Sequence, residues 1–387
     1  MLLVRRCTPT QLSAPLGEGE GVATMSTLTE VTTQGFTAPV AVTVESYESL
    51  VTDDDKLRAA GHDPKDFEIE THVSVTRKAD GKYTYKFRMR TRGVSLPTLM
   101  AMSKEGVKPP LKRATGYKRA VVIALADLQL GKVGGRGGTE EALARIERFL
   151  QKLLKRLRRR KPTLILLLDV GDGLEGFEAG GNPMGTNDLS LPQQLDAYAA
   201  VLYRWVCELA RISPVIVAIV PSNHAAWRNG KQTLGNPSDD FGIHVHRQVQ
   251  RAVEAHGLPV TWVYPDGDYE ETLTIDVYGT IVGLMHGHQV GPGPTAAADF
   301  WQKQTFGEQP LAAADVVVMG HYHHFWALDV SERRSMFCAP TLDNGSDWFR
   351  LKGGRETKPG LLVLEIDENG LNEEEIAVLR DDFALAA

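Results

Sequence analysis

Residues 315–324 read DVVVMGHYHH, an apolar run that ends on paired imidazoles. The run Val316–Met319 stops at Gly320, and His321 and His323 follow one residue apart. In extended backbone, residues i and i+2 point to the same face. Imidazole is the commonest metal ligand among side chains. The stretch therefore predicts a buried strand whose carboxyl end directs two histidines into one metal site.

Other apolar runs in the chain also end on residue types that bind metal ions. They are residues 121–129 (VVIALADLQ), 164–172 (LILLLDVGD), 215–224 (VIVAIVPSNH) and 281–288 (IVGLMHGH). In α/β sheets, functional sites form at the carboxyl ends of the strands. One such ending is typical of a helix cap or a turn, whereas five in a single chain indicate a shared site.

Taken in order, the five endings resemble the motifs of the calcineurin-like metallophosphoesterases over residues 121–343. The matching segments are residues 127–129 (DLQ), 171–175 (GDGLE), 222–224 (SNH), 286–288 (HGH) and 320–323 (GHYH). The resemblance implies an α/β fold class, a four-layer αββα sandwich, to which we add a small N-terminal α+β module. Within the family, the chain resembles most the branch that contains DNA-repair exonucleases.

The resemblance implies a centre of two divalent metal ions. Two ions about 3.5–4 Å apart can neutralise the charge that develops during phosphoester hydrolysis. By the family pattern Asp172 bridges the two ions, the first ion takes Asp127, Gln129 and His323, and the second takes Asn223, His286 and His321. Oxygen and nitrogen ligands without thiolate suit several metals. We expect Mn, with Fe, Zn, Ni or Mg as alternatives.

The same pattern implies which side chains meet the substrate. His224 would face it as the general acid, or would stabilise the leaving oxygen. Trp227 could stack on a base. Further candidates for contact with a phosphate are His288, His324, Arg228 and Lys231.

The chain departs from the family pattern at several positions. Gln129 stands where the family usually has histidine, and an amide oxygen is a weaker and harder ligand. Ala225 stands where an acidic residue commonly orients the catalytic histidine, and Glu175, which replaces the usual Asp, could reach far enough to do so. Ser222 replaces glycine. These departures leave open a weakened or inactive site.

Composition limits the remaining classes. The chain has 387 residues, of which 42% are hydrophobic and 24% are charged, as in a soluble globular protein. No run of about 18 apolar residues occurs, so no membrane span is expected. Three scattered cysteines favour a reducing, cytoplasmic setting. The net charge of −6 argues against a generally basic nucleic-acid binder, but a local basic face remains compatible with it.

The chain divides by pattern into five segments. Residues 1–38 lack periodicity and are expected to be disordered, 39–96 form a small module, 97–117 form a linker, 118–370 form the metallophosphoesterase domain, and 371–387 form a tail read as a short helix. The module should hold a helix within residues 45–63 and a hairpin turning at Asp80–Gly81. Its second strand, residues 83–92 (YTYKFRMRTR), alternates apolar with basic residues. That alternation fits a core face opposite a solvated face, or a basic ribbon that binds nucleic acid.

Three functional hypotheses follow. The first is a binuclear metal-dependent phosphodiesterase, an exo- or endonuclease that acts on DNA or RNA. The second is a phosphatase or phosphodiesterase for a small molecule or a phosphoprotein. The third is a non-catalytic scaffold that binds metal or a partner.

Overall fold

The structure is a computed structural model that describes residues 40–47, 49–62, 64, 67–91, 110–111, 116–177, 186–230, 232–351 and 357–380. These residues fall into two compact units, one within residues 40–91 and the other from residue 110 onward. The segment expected to be disordered, residues 1–38, lies outside the described residues, as does most of the expected linker.

The first unit is a small α+β module. It comprises β1 (Val40–Ser46), α1 (Asp53–Ala59), β2 (Phe67–Arg77) and β3 (Tyr83–Thr91), in an antiparallel sheet of order β1-β3-β2. The predicted hairpin is therefore present, but the helix is shorter than residues 45–63 and follows a strand. Tyr85, Phe87 and Met89 are buried, whereas Lys86 and Arg88 are exposed. The alternation of β3 thus forms a core face, and its basic face stays open to solvent.

The second unit contains the remaining elements. Its strands are β4 (Arg119–Leu125), β5 (Leu164–Asp169), β6 (Val215–Ile219), β7 (Arg228–Asn229), β8 (Gln232–Thr233), β9 (Val260–Val263), β10 (Thr272–Val277), β11 (Thr280–Met285), β12 (Val316–Met319), β13 (Trp326–Ser331), β14 (Arg334–Cys338), β15 (Gly360–Asp367), β16 (Gly370–Leu371) and β17 (Ala377–Arg380). Its helices are α2 (Thr139–Arg160), α3 (Leu191–Ala210), α4 (Phe241–Ala255), α5 (Pro294–Phe306) and α6 (Asp347–Leu351).

Two mixed sheets carry the predicted motifs. The first has the order β16-β15-β4-β5-β6-β9, with β17 also paired to β15, and β4, β5, β6 and β9 run parallel. The second has the order β10-β11-β12-β14-β13, with β11, β12 and β14 parallel. Each motif follows one of these parallel strands.

Alternation along the strands builds the layers. On β4, Val121 and Ile123 face a core shared with α2, α3 and α4. Val122, on the opposite face, packs in a second core that includes Val316 and Val318 of the other sheet. Helix α5 covers the outer face of that sheet through Trp301. The result is the expected four-layer αββα sandwich.

Some sequence expectations need correction. Residues 377–380 form a strand beside β15 rather than a terminal helix, because Leu379 packs against one core and Val378 against the other while the backbone pairs with the sheet. Helix α5 was not anticipated, since its run of alanines between glycine-rich flanks shows little amphipathic pattern. Among the described residues, no helix combines the length and apolar character needed to cross a bilayer.

Candidate metal centre

The predicted site residues meet at the carboxyl ends of β4, β5, β6, β11 and β12. Backbone hydrogen bonds join the loops that follow these strands. Gln129 N donates to Asp172 O at 2.9 Å, and Gly320 N donates to His286 O at 2.9 Å. The bond from Gln129 joins two loops of the first sheet, and the bond from Gly320 joins two loops of the second sheet. The side chains are therefore held on a common scaffold of hydrogen-bonded turns.

Strained backbone is concentrated in these loops. Residues with φ between 43° and 67° include Asp127, Gln129, Asp172, His321 and His323. A non-glycine residue in this region costs roughly 1–3 kcal/mol and persists where the surroundings enforce it, often at functional sites. The histidine pair is thus not in extended backbone as predicted. Its two rings reach different partners for that reason.

A first group of side chains could hold one divalent ion. Donor atoms of Asp172, His286 and His321 all lie within 4.8 Å of one another. His286 Nε2 lies 3.1 Å from Asp172 Oδ2 and 2.9 Å from Asn223 Oδ1. Two imidazoles, a carboxylate and an amide oxygen are a donor set that suits a borderline divalent metal. We call these four residues the metal cluster.

The outer contact of His286 fits that assignment. Its Nδ1 lies 2.7 Å from the carbonyl oxygen of Val170, so Nδ1–H donates there and Nε2 faces the metal cluster. Metal-binding histidines are typically held in this way. Burial opposes a charge on His286, but Asp172 outweighs it and raises the pKa of the ring to about 9. The same negative potential favours a divalent cation.

The pKa of His321 is shifted in the direction opposite to that of His286. Burial and the neighbouring His286 lower the pKa of His321 to about 4. Its ring centroid lies 5.1 Å from that of His286. A neutral imidazole has a free lone pair, so His321 is ready to act as a ligand at neutral pH.

Two glycines make the close approach of the loops feasible. A Cβ on Gly171, whose φ is +100°, would lie 2.8 Å from His286 Nδ1. A Cβ on Gly320 would lie 2.6 Å from Asp127 Oδ2. Larger residues at either position would push a motif residue out of place.

Asp127 and His323 form a second group of side chains in contact. His321 N donates to Asp127 Oδ2 at 3.0 Å, and His323 Nε2 lies 3.3 Å from Asp127 Oδ1. His323 Nδ1 lies 3.4 Å from Asp343 Oδ2. Burial opposes a charge on His323, but Asp127 and Asp343 raise its pKa to about 10.

Lys132 and Asp343 are site residues that sequence reasoning missed. Lys132 Nζ donates to Asp343 Oδ2 at 2.7 Å and also to Gln129 Oε1. A signal existed for Asp343, because it follows β14 and is one more acidic residue beyond the end of a buried strand. Lys132 had no comparable signal beyond its position three residues after Gln129.

His224 is held beside Asp172 as the family pattern implies. Its backbone N donates to Asp172 Oδ1 at 2.9 Å, and its Nδ1 lies 2.8 Å from Glu175 O. The Glu175 carboxylate Oε2 lies 3.4 Å from the same nitrogen. Glu175 therefore contacts His224 through both its backbone and its side chain, in the place expected for an orienting residue.

A chain of hydrogen bonds fixes the protons around His224. A lysine ammonium only donates, so the oxygen of the Gln129 amide faces Lys132. The amide nitrogen then lies 3.2 Å from His224 Nε2 and donates to it. In this arrangement the ring proton is on Nδ1. Burial opposes a charge on His224, but Asp172 and Glu175 outweigh it and raise the pKa of the ring. The Gln129 amide donates to the unprotonated Nε2 and therefore favours the neutral ring.

The candidates for substrate contact are placed unequally. The ring of His288 lies 5.5 Å from that of His286, and burial together with His286 lowers its pKa to about 3. Arg228 donates to Asn223 O at 3.2 Å and to Gly230 O at 2.9 Å, which ties its guanidinium to the loop after β6. Trp227 is 48% exposed. His324 contacts Tyr322 O through Nδ1. Lys231 lies outside the described residues.

A buried carboxyl supports the loop that carries Asn223. Asp240 Oδ2 accepts from Ser222 N at 3.0 Å, and Asp240 Oδ1 accepts from Ile243 N at 3.0 Å at the start of α4. Burial raises the pKa of Asp240 to about 6. Asp240 thus joins the start of a helix to the residue that precedes Asn223.

The five motifs end parallel strands of two stacked sheets and converge on one cluster. This chain has the calcineurin-like metallophosphoesterase fold. That agrees with the family resemblance of its motifs, whereas the DNA-repair branch stays a prediction.

Comparison with known proteins gives structural likenesses at low sequence identity. No family model matches the chain, and no curated protein matches it. Zinc-complexed Vps29 from Entamoeba histolytica has a TM-score of 0.32 and 16% identity, over 68% of this chain and 99% of that one. A predicted phosphoesterase from Streptococcus pneumoniae has a TM-score of 0.27 and 11% identity, over 69% of this chain and 100% of that one. A phosphatase from Mycoplasma pneumoniae has a TM-score of 0.30 and 12% identity, over 71% and 98%.

Proposed function

We propose that the chain is a metal-dependent phosphoric ester hydrolase that cleaves phosphodiester bonds, with nucleic acid as its substrate. The observation that carries the proposal is the metal cluster, Asp172, Asn223, His286 and His321, with His224 attached to Asp172. Such a cluster combines cation ligands with a proton-transfer group at one carboxylate.

The metal cluster would hold a divalent ion. When bound there, the ion supplies Lewis-acid stabilisation to the phosphoryl group. Asp172 and His286 hold their positions through Nε2–Oδ2 contact at 3.1 Å, and Val170 fixes the ring of His286. The ligand set of oxygen and nitrogen donors is compatible with Mn, which is the metal that we propose.

His224 would move the proton of the reaction. Its Nδ1 is held by Glu175 O, which leaves Nε2 as the atom that exchanges a proton at the site. As general acid, the doubly protonated ring would give the proton on Nε2 to the leaving ester oxygen and return to the form in which only Nδ1 carries a proton. The negative charge of Asp172 favours the doubly protonated ring. His288, neutral at pH 7, can donate a hydrogen bond to a phosphoryl oxygen.

Two features support nucleic acid as the substrate. The first unit exposes Lys86 and Arg88 on the central strand of its sheet. The second unit places Trp227, half-exposed, at the start of the β7–β8 hairpin that follows Asn223 and His224. Exposed cations that contact phosphates and aromatic rings that stack on bases are the usual elements of single-strand binding.

A non-catalytic metal-binding scaffold is the second candidate. The contact between Gln129 and Lys132 favours it, because one predicted metal ligand is already hydrogen-bonded to a cation. A phosphatase or phosphodiesterase for small molecules or phosphoproteins remains the third, and the acidic net charge of −6 is compatible with it.

The proposal is tested with metal-stripped protein to which Mn is returned. Substrates are a generic phosphodiester, a generic phosphomonoester, and labelled single- and double-stranded DNA. Asp172→Asn is compared with Asp299→Asn, which changes an exposed aspartate on α5. Cleavage of DNA and the generic diester that needs Mn and Asp172 supports the proposal. Turnover of the monoester alone supports a phosphatase for small molecules or phosphoproteins, and metal binding without turnover supports the scaffold.

A further inference from the structure

The ammonium of Lys132 lies among the predicted ligands of the first metal ion. It contacts Gln129 Oε1 and lies 2.7 Å from Asp343 Oδ2. The same Asp343 oxygen lies 3.4 Å from Nδ1 of His323, which in turn approaches Asp127 at 3.3 Å through Nε2. Lys132 is thus linked to three of the residues that the family pattern assigns to that ion.

We propose that the Lys132 ammonium takes the place of the first metal ion, so that the chain binds a single divalent ion at the metal cluster. This inference rests on the proposed function, since it concerns the same site. The expected centre of two metal ions then becomes a centre with one exchangeable metal ion, at the metal cluster, and one fixed cation, the Lys132 ammonium.

Burial shields the pair of Lys132 and Asp343 from solvent. The exposed fraction of Lys132 is 8%, and that of Asp343 is 1%. A buried ammonium is stable where a carboxylate pairs with it and hydrogen bonds satisfy it. Lys132 Nζ has both kinds of partner, Asp343 Oδ2 at 2.7 Å and Gln129 Oε1. A cation that belongs to the chain therefore occupies this part of the site.

The side chains around Lys132 are poor ligands for a second divalent ion. Gln129 Oε1 already accepts from the ammonium, so an ion bound to that oxygen would lie close to another positive charge. The neutral amide adds no negative charge that would offset this repulsion. Asp343, the additional carboxylate, is already paired with the lysine.

The remaining donor atoms agree with one ion. Within the part of the chain that the structure describes, one group of three acidic, histidine or cysteine donors lies close enough to share an ion, and it is Asp172, His286 and His321. Asp127 and His323 do not join Asp172 in a second such group. Instead, His323 contacts Asp127 at 3.3 Å and Asp343 at 3.4 Å.

The test is the number of Mn ions bound per chain. Metal-stripped protein is saturated with Mn, freed of excess metal by gel filtration, and analysed by elemental mass spectrometry and by electron paramagnetic resonance. The first variant is Lys132→Met. If the unpaired Asp343 carboxylate prevents that variant from folding, the double variant Lys132→Met with Asp343→Asn removes the carboxylate as well. Lys303→Met, an exposed lysine on α5, is the matched control.

We expect one Mn per chain in the wild type and in the control, with the six-line spectrum of an isolated ion. We expect two Mn ions and a spin-coupled spectrum in the folded Lys132 variant. Two ions in the wild type would overturn the inference, and so would one ion in every folded variant. Two ions with phosphoester turnover would reject this inference and leave the proposed function intact. One ion in the wild type and two in the folded Lys132 variant, without turnover of any ester, would support this inference and reject the proposed function.

Discussion

Val170 O accepts a hydrogen bond from His286 Nδ1 over 2.7 Å, and this contact decides which nitrogen of the ring faces Asp172. The bond comes from the loop after β5 and reaches a histidine at the end of β11, so it links the two sheets at the site. The metal cluster depends on this alignment, because Nε2 then lies near both Asp172 and Asn223.

His286→Gln should weaken Mn binding strongly. Loss of an outer hydrogen-bond partner of a metal ligand typically costs about 10–100-fold in affinity, so loss of the ligand itself should cost at least that much. Isothermal titration of the metal-stripped variant with Mn measures the effect. His256→Gln, an exposed histidine after α4, should bind Mn as the wild type does. Equal affinities of the two variants would remove His286 from the ligand set.

His224→Asn should separate catalysis from metal binding. Because its contacts are with Asp172, Glu175 and Gln129, we expect kcat to fall by about 10²–10⁴-fold, as for loss of a general acid or base. Mn affinity should change by less than about tenfold, on the scale of an outer contact. Steady-state kinetics on the generic phosphodiester and Mn titration give the two numbers. His244→Asn on the exposed face of α4 is the control, and an unchanged kcat in His224→Asn would exclude the proton-transfer role.

Asp240 should make the protein less stable as pH rises. Its folded pKa of about 6 lies above the ordinary value of 3.8, so the folded state binds the proton more tightly than the unfolded state. The contribution of Asp240 to the free energy of unfolding is therefore lost as pH rises from about 4 through 6, and the total loss is roughly 3 kcal/mol. Urea unfolding of wild type and Asp240→Asn at a series of pH values, with chelator in all samples, measures the difference. Asp240→Asn should lack this part of the pH dependence, and identical profiles would contradict the assignment.

Lys86 and Arg88 should contribute to nucleic-acid affinity through phosphate contacts. Replacing both by Gln should weaken binding at low salt and reduce the slope of log K against log salt by up to about 1.4 for single-stranded DNA. Fluorescence anisotropy with labelled oligonucleotides over a salt series checks this. Lys303→Gln with Arg333→Gln removes two exposed cations from the second unit as the control. An unchanged slope in the Lys86 and Arg88 variant would exclude this basic face as the binding surface.

The strand-end pattern predicted the fold and the meeting of the motifs well. Apolar runs such as those ending before Asp127 and Asp172 report burial in a parallel sheet, and parallel strands place their carboxyl ends together. That rule needs no knowledge of contacts between distant residues. It therefore predicted that the residues after these strands share one site, whereas the assignment of Asp172, His286 and His321 to one ion came from the family resemblance.

The details of the site depended on contacts that no local pattern reports. Lys132 and Asp343 are 211 residues apart, and their pairing follows from how two loops pack. His321 and His323 were expected to share a face in extended backbone, but their positive φ angles turn the rings toward different partners. Backbone strain of this kind is enforced by tertiary structure, so sequence periodicity could not predict it.

The most direct measurement of the central claim is phosphodiester cleavage by Mn-loaded wild type and by Asp172→Asn. Asp172 touches His286 and His224 and belongs to the metal cluster, so its loss should abolish both Mn binding and cleavage, while Asp299→Asn retains both. Full activity in a folded Asp172→Asn protein would contradict the account.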